Sequence, residues 1–197
     1  MRLFVAVCIG LVLSGGYAAA QQPSGEQLFV LPPQGWKIGF HDRQGNVEVT
    51  EVLPPDQTVQ EWTEMLAVQV VIGKGQKMPQ EVLKEQMSDI QKDCTDVGAG
   101  AVSLGVENGY DTAIRAIACT RLKKWPKGEL GLYKVLRGRD RLYIVSRSWR
   151  GEPFEKSQLP LPPETTQAWL AFMQQVVLCD TRDPKRPCPK EGSQPGR

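Results

Sequence analysis

The clearest structural signal in the sequence is the segment LGLYKVLRGRDRLYIVSRSW, residues 130–149. Side chains on both sides of residues 138–140 follow the period of two that is typical of β-strands joined by a tight turn. The segment therefore predicts a β-hairpin with strands at 130–137 and 141–149. Both faces of this hairpin carry apolar residues, so we expect one face to pack on helices and the other to present Tyr, Trp and Arg side chains.

The rest of the chain predicts the other elements of one α+β domain. They are an opening hairpin over 36–50, a short helix after 58, a strand up to 73, a helix over 79–94, strands at 101–107 and 111–121, and a closing helix over 164–179. Thr58 and Glu61 match the S/T-x-x-E capping box of helix starts, and Pro79 suits a first helical position. The predicted fold class is α+β, with an antiparallel sheet packed by helices on one face, in a single domain over residues 29–179.

The N-terminal residues have the features of a secretory signal. Arg2 precedes an uncharged apolar run over 3–13, which is too short for the roughly 20 residues of a membrane span. Small residues at Ala18 and Ala20 then fit signal-peptidase cleavage. We expect a signal peptide over 1–20, a periplasmic or secreted location, and no transmembrane segment after its removal.

The two ends of the mature chain have little apolar content. Residues 21–28 are predicted to form a flexible N-terminal segment. Residues 180–197, rich in proline and basic side chains, are predicted to form a C-terminal tail held only by a disulfide.

Four cysteines follow the signal segment: Cys94, Cys119, Cys179 and Cys188. An even number of cysteines in an exported chain predicts two disulfides, with three possible connectivities. The turn-forming residues between Cys179 and Cys188 favour that pair, and Cys94 with Cys119 then follows by elimination.

The composition gives no support to several classes of function. The formal net charge of +2 does not indicate a nucleic-acid partner. His41 is the single histidine, and no G-x-S-x-G, C-x-x-C or phosphate-binding G-x-x-x-x-G-K-[ST] motif occurs. We therefore predict no catalytic residue, no metal site and no cofactor, and the sequence does not indicate an oligomeric state.

Three stretches carry a resemblance to known proteins: the P-x-G-W of 33–36, the E-W-T-E-M of 61–65 and the C-D-x-R-x-P region of 179–184. Together with the strand pair at 130–149, they make the chain resemble the PsbP-like α/β sandwich of the photosystem PsbP proteins and of periplasmic proteins such as DcrB. The chain is also similar to uncharacterised secreted bacterial proteins. This resemblance implies an accessory or assembly factor and supplies no catalytic or metal residue.

Basic and aromatic side chains are concentrated around the central hairpin. The candidate binding residues are Trp125, Tyr133, Arg139, Tyr143, Arg147 and Trp149. Cation–π and bidentate arginine contacts on one such face would suit a protein partner or an anionic envelope component.

We therefore predict a non-enzymatic periplasmic accessory or binding protein. Three alternatives stay open: basic residues that only protect strand edges from aggregation, an unrecognised carboxylate-dependent hydrolase, and an inhibitor or immunity protein.

Overall fold

The computed structural model describes residues 25–189, so the predicted signal peptide and residues 190–197 lie outside the described part. Within it, ten strands and two helices follow one another along the chain. They are β1 Glu26–Phe29, β2 Lys37–Gln44, β3 Val47–Leu53, β4 Glu64–Ile72, α1 Pro79–Asp93, β5 Val97–Ala99, β6 Ser103–Glu107, β7 Tyr110–Cys119, β8 Gly128–Arg137, β9 Arg141–Gly151, α2 Pro163–Gln175 and β10 Val177–Asp180.

Eight of these strands form one antiparallel sheet in the order β2-β3-β4-β9-β8-β7, with β5 and β6 both paired to β7. β1 and β10 form a separate two-stranded ribbon. The predicted central hairpin is confirmed, since β8 and β9 pair from Gly128 opposite Gly151 to Arg137 opposite Leu142. It lies in the middle of the sheet, where both of its faces are covered.

The two helices pack on opposite faces of the sheet. α1 places Val82 and Leu83 against Val135, whereas α2 places Trp169 and Met173 in the cluster that contains Leu132 and Leu136. Neighbouring residues of a strand point to opposite faces, so the odd and even positions of β8 meet different helices. We call these the α1 face and the α2 face.

The predicted fold class, α+β with a large antiparallel sheet in a single domain, is confirmed. The arrangement of the helices differs from the prediction, which placed them on one face. The physical reason is the apolar content of both faces of the β8–β9 hairpin, because each face needs its own cover.

The short helix predicted after residue 58 does not form. The Thr58 hydroxyl does accept a hydrogen bond from the Glu61 amide at 3.1 Å, as in a capping box. However, the Thr58 amide donates to the Glu61 carbonyl at 3.0 Å, and the Gln57 side chain accepts from the Thr63 amide at 2.7 Å. These local bonds close a compact loop, and β4 begins directly after it at Glu64.

Both ends of the domain are more ordered than predicted. Residues 26–28, expected to be flexible, belong to β1, which pairs with β10. The closing helix is shorter than predicted, since α2 ends at Gln175. Residues 177–179, which were predicted to be helical, belong to β10. The amide of Asp180, the last residue of β10, donates to the Arg186 carbonyl at 2.9 Å. Both hydrogen bonds and the disulfide therefore hold the described part of the tail.

The two disulfides have the connectivity that the sequence favours. Cys94 joins Cys119 and Cys179 joins Cys188, with Cα–Cα distances of 5.6 and 4.9 Å. The first bridge ties the end of α1 to the end of β7. The second closes the loop that follows β10.

Lys134 is a buried cation in the middle of the sheet. Its side chain is fully buried and its ammonium group forms an ion pair with Glu107. The same group donates to the carbonyls of Met173 at 2.7 Å and Val176 at 3.0 Å. Burial lowers the pKa of Lys134 below its ordinary 10.5, and the Glu107 carboxylate opposes that shift. A cation at the C-terminus of a helix also meets the negative end of the helix dipole.

We expect Lys134→Met to lower the free energy of unfolding by about 3 kcal/mol, because it leaves two buried carbonyls and a carboxylate without their donor. Urea unfolding followed by circular dichroism measures the change. Lys156→Met is the matched control, since it removes an ion pair to Asp96 in which both side chains are exposed. That change should cost less than about 1 kcal/mol, and equal losses in the two variants would contradict the structural role of Lys134.

Asp180 anchors the loop after β10. Its carboxylate accepts from the Arg182 amide at 2.9 Å and lies 3.2 Å from the Arg139 guanidinium. The Arg182 amide, followed by the Arg182 and Arg139 cations, holds the pKa of Asp180 below its ordinary 3.8. The resulting stabilisation is present above pH 3.8 and is lost as the pH falls through the lower folded-state pKa.

The acid unfolding of Asp180→Asn tests this linkage. The free energy of unfolding of the native protein should exceed that of the variant by a constant amount above the ordinary pKa of aspartate, and the difference should shrink at lower pH. Asp56→Asn, at an exposed position of the β3–β4 loop, is expected to follow the native protein throughout. A difference that stays constant down to the lowest pH would show that the carboxylate contributes no charge-dependent stability.

Candidate functional site

The six predicted binding residues do not share one face. Strand register places Tyr143, Arg147 and Trp149 on the α2 face, because they lie opposite Leu136, Leu132 and Leu130. Tyr133 points to the α1 face. Trp125 precedes β8 and Arg139 follows it, so they lie at opposite ends of a strand of ten residues, about 30 Å apart.

Arg147 is largely buried, with 17% of its side-chain surface exposed. Its guanidinium carbon lies 5.5 to 5.6 Å from the ring centroids of Trp36, Trp169 and Phe172. It also forms an ion pair of 3.1 Å with Glu64. These contacts pack most of the Arg147 side chain against α2 and Trp36.

The two predicted tyrosines are also packed into the domain. Burial raises the pKa of Tyr133 to about 12, with a further contribution from the nearby Glu129 carboxylate. Burial raises the pKa of Tyr143 as well, and its hydroxyl lies 3.0 Å from a carboxylate oxygen of Glu26 in β1. Both phenols are therefore neutral structural groups at neutral pH.

Trp125 is the predicted aromatic residue that the structure exposes, with 45% of its surface accessible. It lies in the β7–β8 loop, where the Lys127 amide donates to the Trp125 carbonyl at 2.8 Å. The Lys123 amide of the same loop donates to Asp93 at the end of α1, also at 2.8 Å. Together with the Cys94–Cys119 bridge, this bond fixes the loop to the helix.

Arg150 lies between two indole rings. Its guanidinium carbon is 4.0 Å from the ring centroid of Trp62 and 4.8 Å from that of Trp125. The guanidinium also forms an ion pair of 2.6 Å with Glu129. On its other side, Trp62 packs in a core cluster with Leu53 and Met65. The stack thus connects the hydrophobic core to an exposed indole.

Two open clefts flank this stack. One has a volume of about 430 Å³ and is lined by side chains of the β3–β4 loop together with Trp62, Trp125, Lys127 and Arg150. The other, of about 520 Å³, lies between Trp125, Lys124 and the end of α1. We name the surface formed by Trp62, Lys124, Trp125, Lys127 and Arg150 the Trp125 patch.

The sequence identified only part of this patch. Trp125 is one of the candidate binding residues predicted from the sequence, whereas Trp62 and Arg150 are not. The sequence does contain a signal that separates Arg150 from Arg147. Arg150 lies three residues after Arg147, and an odd separation along a strand places two side chains on opposite faces.

The described part of the chain has no metal-binding cluster and no helix suited to crossing a membrane. Among residues 25–189, no group of three or more His, Cys, Asp or Glu side chains is placed to hold a metal ion. Within the same residues, neither helix has the length and apolar character that crossing a bilayer requires.

Comparison with known proteins yields a match at the level of the fold. The solved structure of the Ran-binding protein Mog1p from Saccharomyces cerevisiae matches with a TM-score of 0.50 and 13% identity, over 78% of this chain and 93% of Mog1p. The fold is similar to that of Mog1p. Cyanobacterial PsbP (CyanoP) from Synechocystis sp. PCC 6803 matches with a TM-score of 0.44 and 14% identity, over 81% of this chain and 94% of CyanoP.

The fold assignment rests on Mog1p, because the TM-score for CyanoP is below 0.5. No protein-family model and no curated protein sequence matches the chain.

A double-mutant cycle between Trp125 and Arg150 tests the stack. We expect Trp125→Ala and Arg150→Gln to be coupled by about 0.5–1 kcal/mol in the free energy of unfolding, the usual size of an exposed cation–π contact. Trp125→Ala with Arg115→Gln is the control cycle, because the Arg115 side chain bonds the Gly100 carbonyl instead. Coupling of equal size in both cycles would show that the Trp125–Arg150 contact has no specific energy.

Proposed function

We propose that this chain is a non-enzymatic accessory protein of the bacterial cell envelope that binds an anionic protein partner through the Trp125 patch. The observation that carries the proposal is an exposed indole that stacks on the Arg150 guanidinium group and is flanked by Lys124 and Lys127. Tryptophan and arginine are the residues that most often dominate protein–protein interfaces. The stack fixes Trp125 before binding, so little side-chain entropy is lost when a partner covers it.

The basic charge of the β7–β8 loop supports an anionic partner, while Glu61 and Asp93 supply acidic side chains to the two clefts. Residues 121–129 carry four basic side chains and one acidic side chain, Glu129. Glu129 is already paired with Arg150. Lys127 forms an ion pair of 3.0 Å with Glu152, whose side chain is exposed and can yield its place to a partner carboxylate. Lys124 lines the second cleft.

Two features of the chain support the proposed location. The disulfides are compatible with a secreted protein, and residues 1–20 have the sequence features of a signal peptide. Mog1p, whose fold is similar, is described as Ran-binding. This fold therefore serves protein recognition in at least one other protein.

Arg139 and Arg147, which were also predicted to bind the partner, are not part of the proposed binding surface. Arg139 is exposed but is held by ion pairs of 3.2 Å to Asp180 and 3.6 Å to Asp183. Arg147 is enclosed by aromatic rings, so its substitution would report on stability as well as binding. Charge reversal at Lys124 and Lys127 separates an effect on binding from an effect on stability, because neither side chain belongs to the core clusters.

Site-specific photo-crosslinking in the native envelope tests the proposal. A benzophenone amino acid replaces Gln60 in the exported protein, because Gln60 is exposed and lines the first cleft beside Trp125. The matched control replaces Leu170 on α2, which is 42% exposed. We expect one protein adduct from position 60 that is absent from position 170. The adduct should decrease severalfold in Lys124→Glu/Lys127→Glu and in high salt, since exposed charges are screened beyond about 10 Å at 0.1 M salt.

Either of two results would overturn the proposed function. One is a position-60 probe that gives no adduct beyond those of position 170. The other is an adduct whose yield is the same in the charge-reversed protein.

A further inference from the structure

The two edges of the large sheet are protected very differently. At one edge, β2 carries Lys37, His41 and Arg43, and its register shifts between Ile38 and Phe40. Charges and bulges of this kind are the usual means of preventing edge-to-edge association. At the opposite edge, residues 103–106 of β6 read SLGV, with no charge and no proline. Among the described residues, β6 pairs only with β7.

The side chains of β6 are unusually exposed for their apolar character. Leu104 and Val106 have 62% and 69% of their surface accessible. Both lie on the α1 face, because Leu104 is opposite Ala113 in β7. An uncharged strand with two exposed aliphatic side chains is a template for pairing with another strand.

The turn after β6 determines which backbone groups of β6 are available to bond a further strand. Asn108 and Gly109 both have positive φ, at 49° and 74°, as in the two-residue type I′ hairpin. Such a turn closes on a hydrogen-bonded pair, here Glu107 with Tyr110. Hydrogen-bonded and non-bonded pairs alternate from there, so Gly105 bonds to β7 while the amides and carbonyls of Leu104 and Val106 point away from it.

We propose that β6 pairs with β6 of a second copy of this chain, antiparallel and centred on Gly105. In this register Leu104 lies opposite Val106 of the second copy, and the converse pair forms by symmetry. All four outward groups of each strand segment are then bonded, giving four hydrogen bonds across the interface. The two Gly105 residues meet at the two-fold axis, where the absence of side chains permits the close approach of a non-bonded pair.

The self-complementary register of β6 favours a second copy over a strand of another protein. The centred register places no like charges opposite each other. Glu107 lies opposite Ser103 of the second copy, and its carboxylate is already held by Lys134. The apolar pairs Leu104–Val106 are formed twice, which is the self-complementarity that a two-fold interface requires.

Sedimentation of the purified protein tests this association. A single edge contact buries less than the roughly 800 Å² per partner of a stable interface, so we expect the weight-average mass to rise towards that of two chains between about 10 µM and 1 mM. Leu104→Lys/Val106→Lys should abolish the rise by placing like charges across the interface. Ile38→Lys, an equally exposed aliphatic residue at 67% on the other edge, is the control and should leave it unchanged.

Hydrogen exchange of the native protein gives a second readout that needs no variant. The amides of Leu104 and Val106 should exchange severalfold more slowly at high than at low concentration. The amide of Gly105, bonded to β7, should be protected at both. Constant exchange at Leu104 and Val106, a monomeric native protein over the whole range, or equal association of the double variant would each overturn the proposal.

Discussion

The buried ammonium group of Lys134 is the constraint on which much of the architecture depends. It extends from the central strand β8 to the last carbonyls of α2 and to Glu107 at the end of β6. Leaving a buried ammonium group without partners costs several kcal/mol, so the three elements hold one another in place. The position of α2 then determines where β10 begins, and β10 pairs with β1. In turn, β1 carries Glu26, which accepts a hydrogen bond from Tyr143 in the sheet.

The elements predicted correctly from the sequence are those whose signals are local. The β8–β9 hairpin has a period of two around a tight turn, and α1 combines a proline start with helical spacing. From the apolar residues on both faces of the hairpin we predicted that helices cover one face, whereas each face is covered by its own helix. The helices lie on opposite faces because of contacts between residues far apart in sequence, such as Leu83 with Val135 and Met173 with Leu136.

In other places, contacts with the rest of the fold outweighed the local sequence signal. Thr58 and Glu61 form the side-chain bond of a capping box, yet the loop that they close is too short for a helix before β4 begins. The β1 strand lacked a signal of its own, since its four residues are ordered by β10 some 150 positions later. The candidate site shows the same limit. Trp62 and Arg150 are distant in sequence, and a row of basic residues along a strand is divided between two faces by the alternation of the backbone.

The first disulfide connects these observations with the proposed location. The loop that carries Trp125 follows Cys119 directly, and its hydrogen bonds reach the end of α1 beside Cys94. Reduction would remove the covalent link between α1 and β7 and leave the loop held by its hydrogen bonds and by the Trp125–Arg150 stack, so an oxidising environment adds to the stability of the Trp125 patch. At its other end, β7 supports β6. The patch and the open edge therefore lie at opposite ends of one strand, and pairing through β6 leaves Trp125 free to meet a partner.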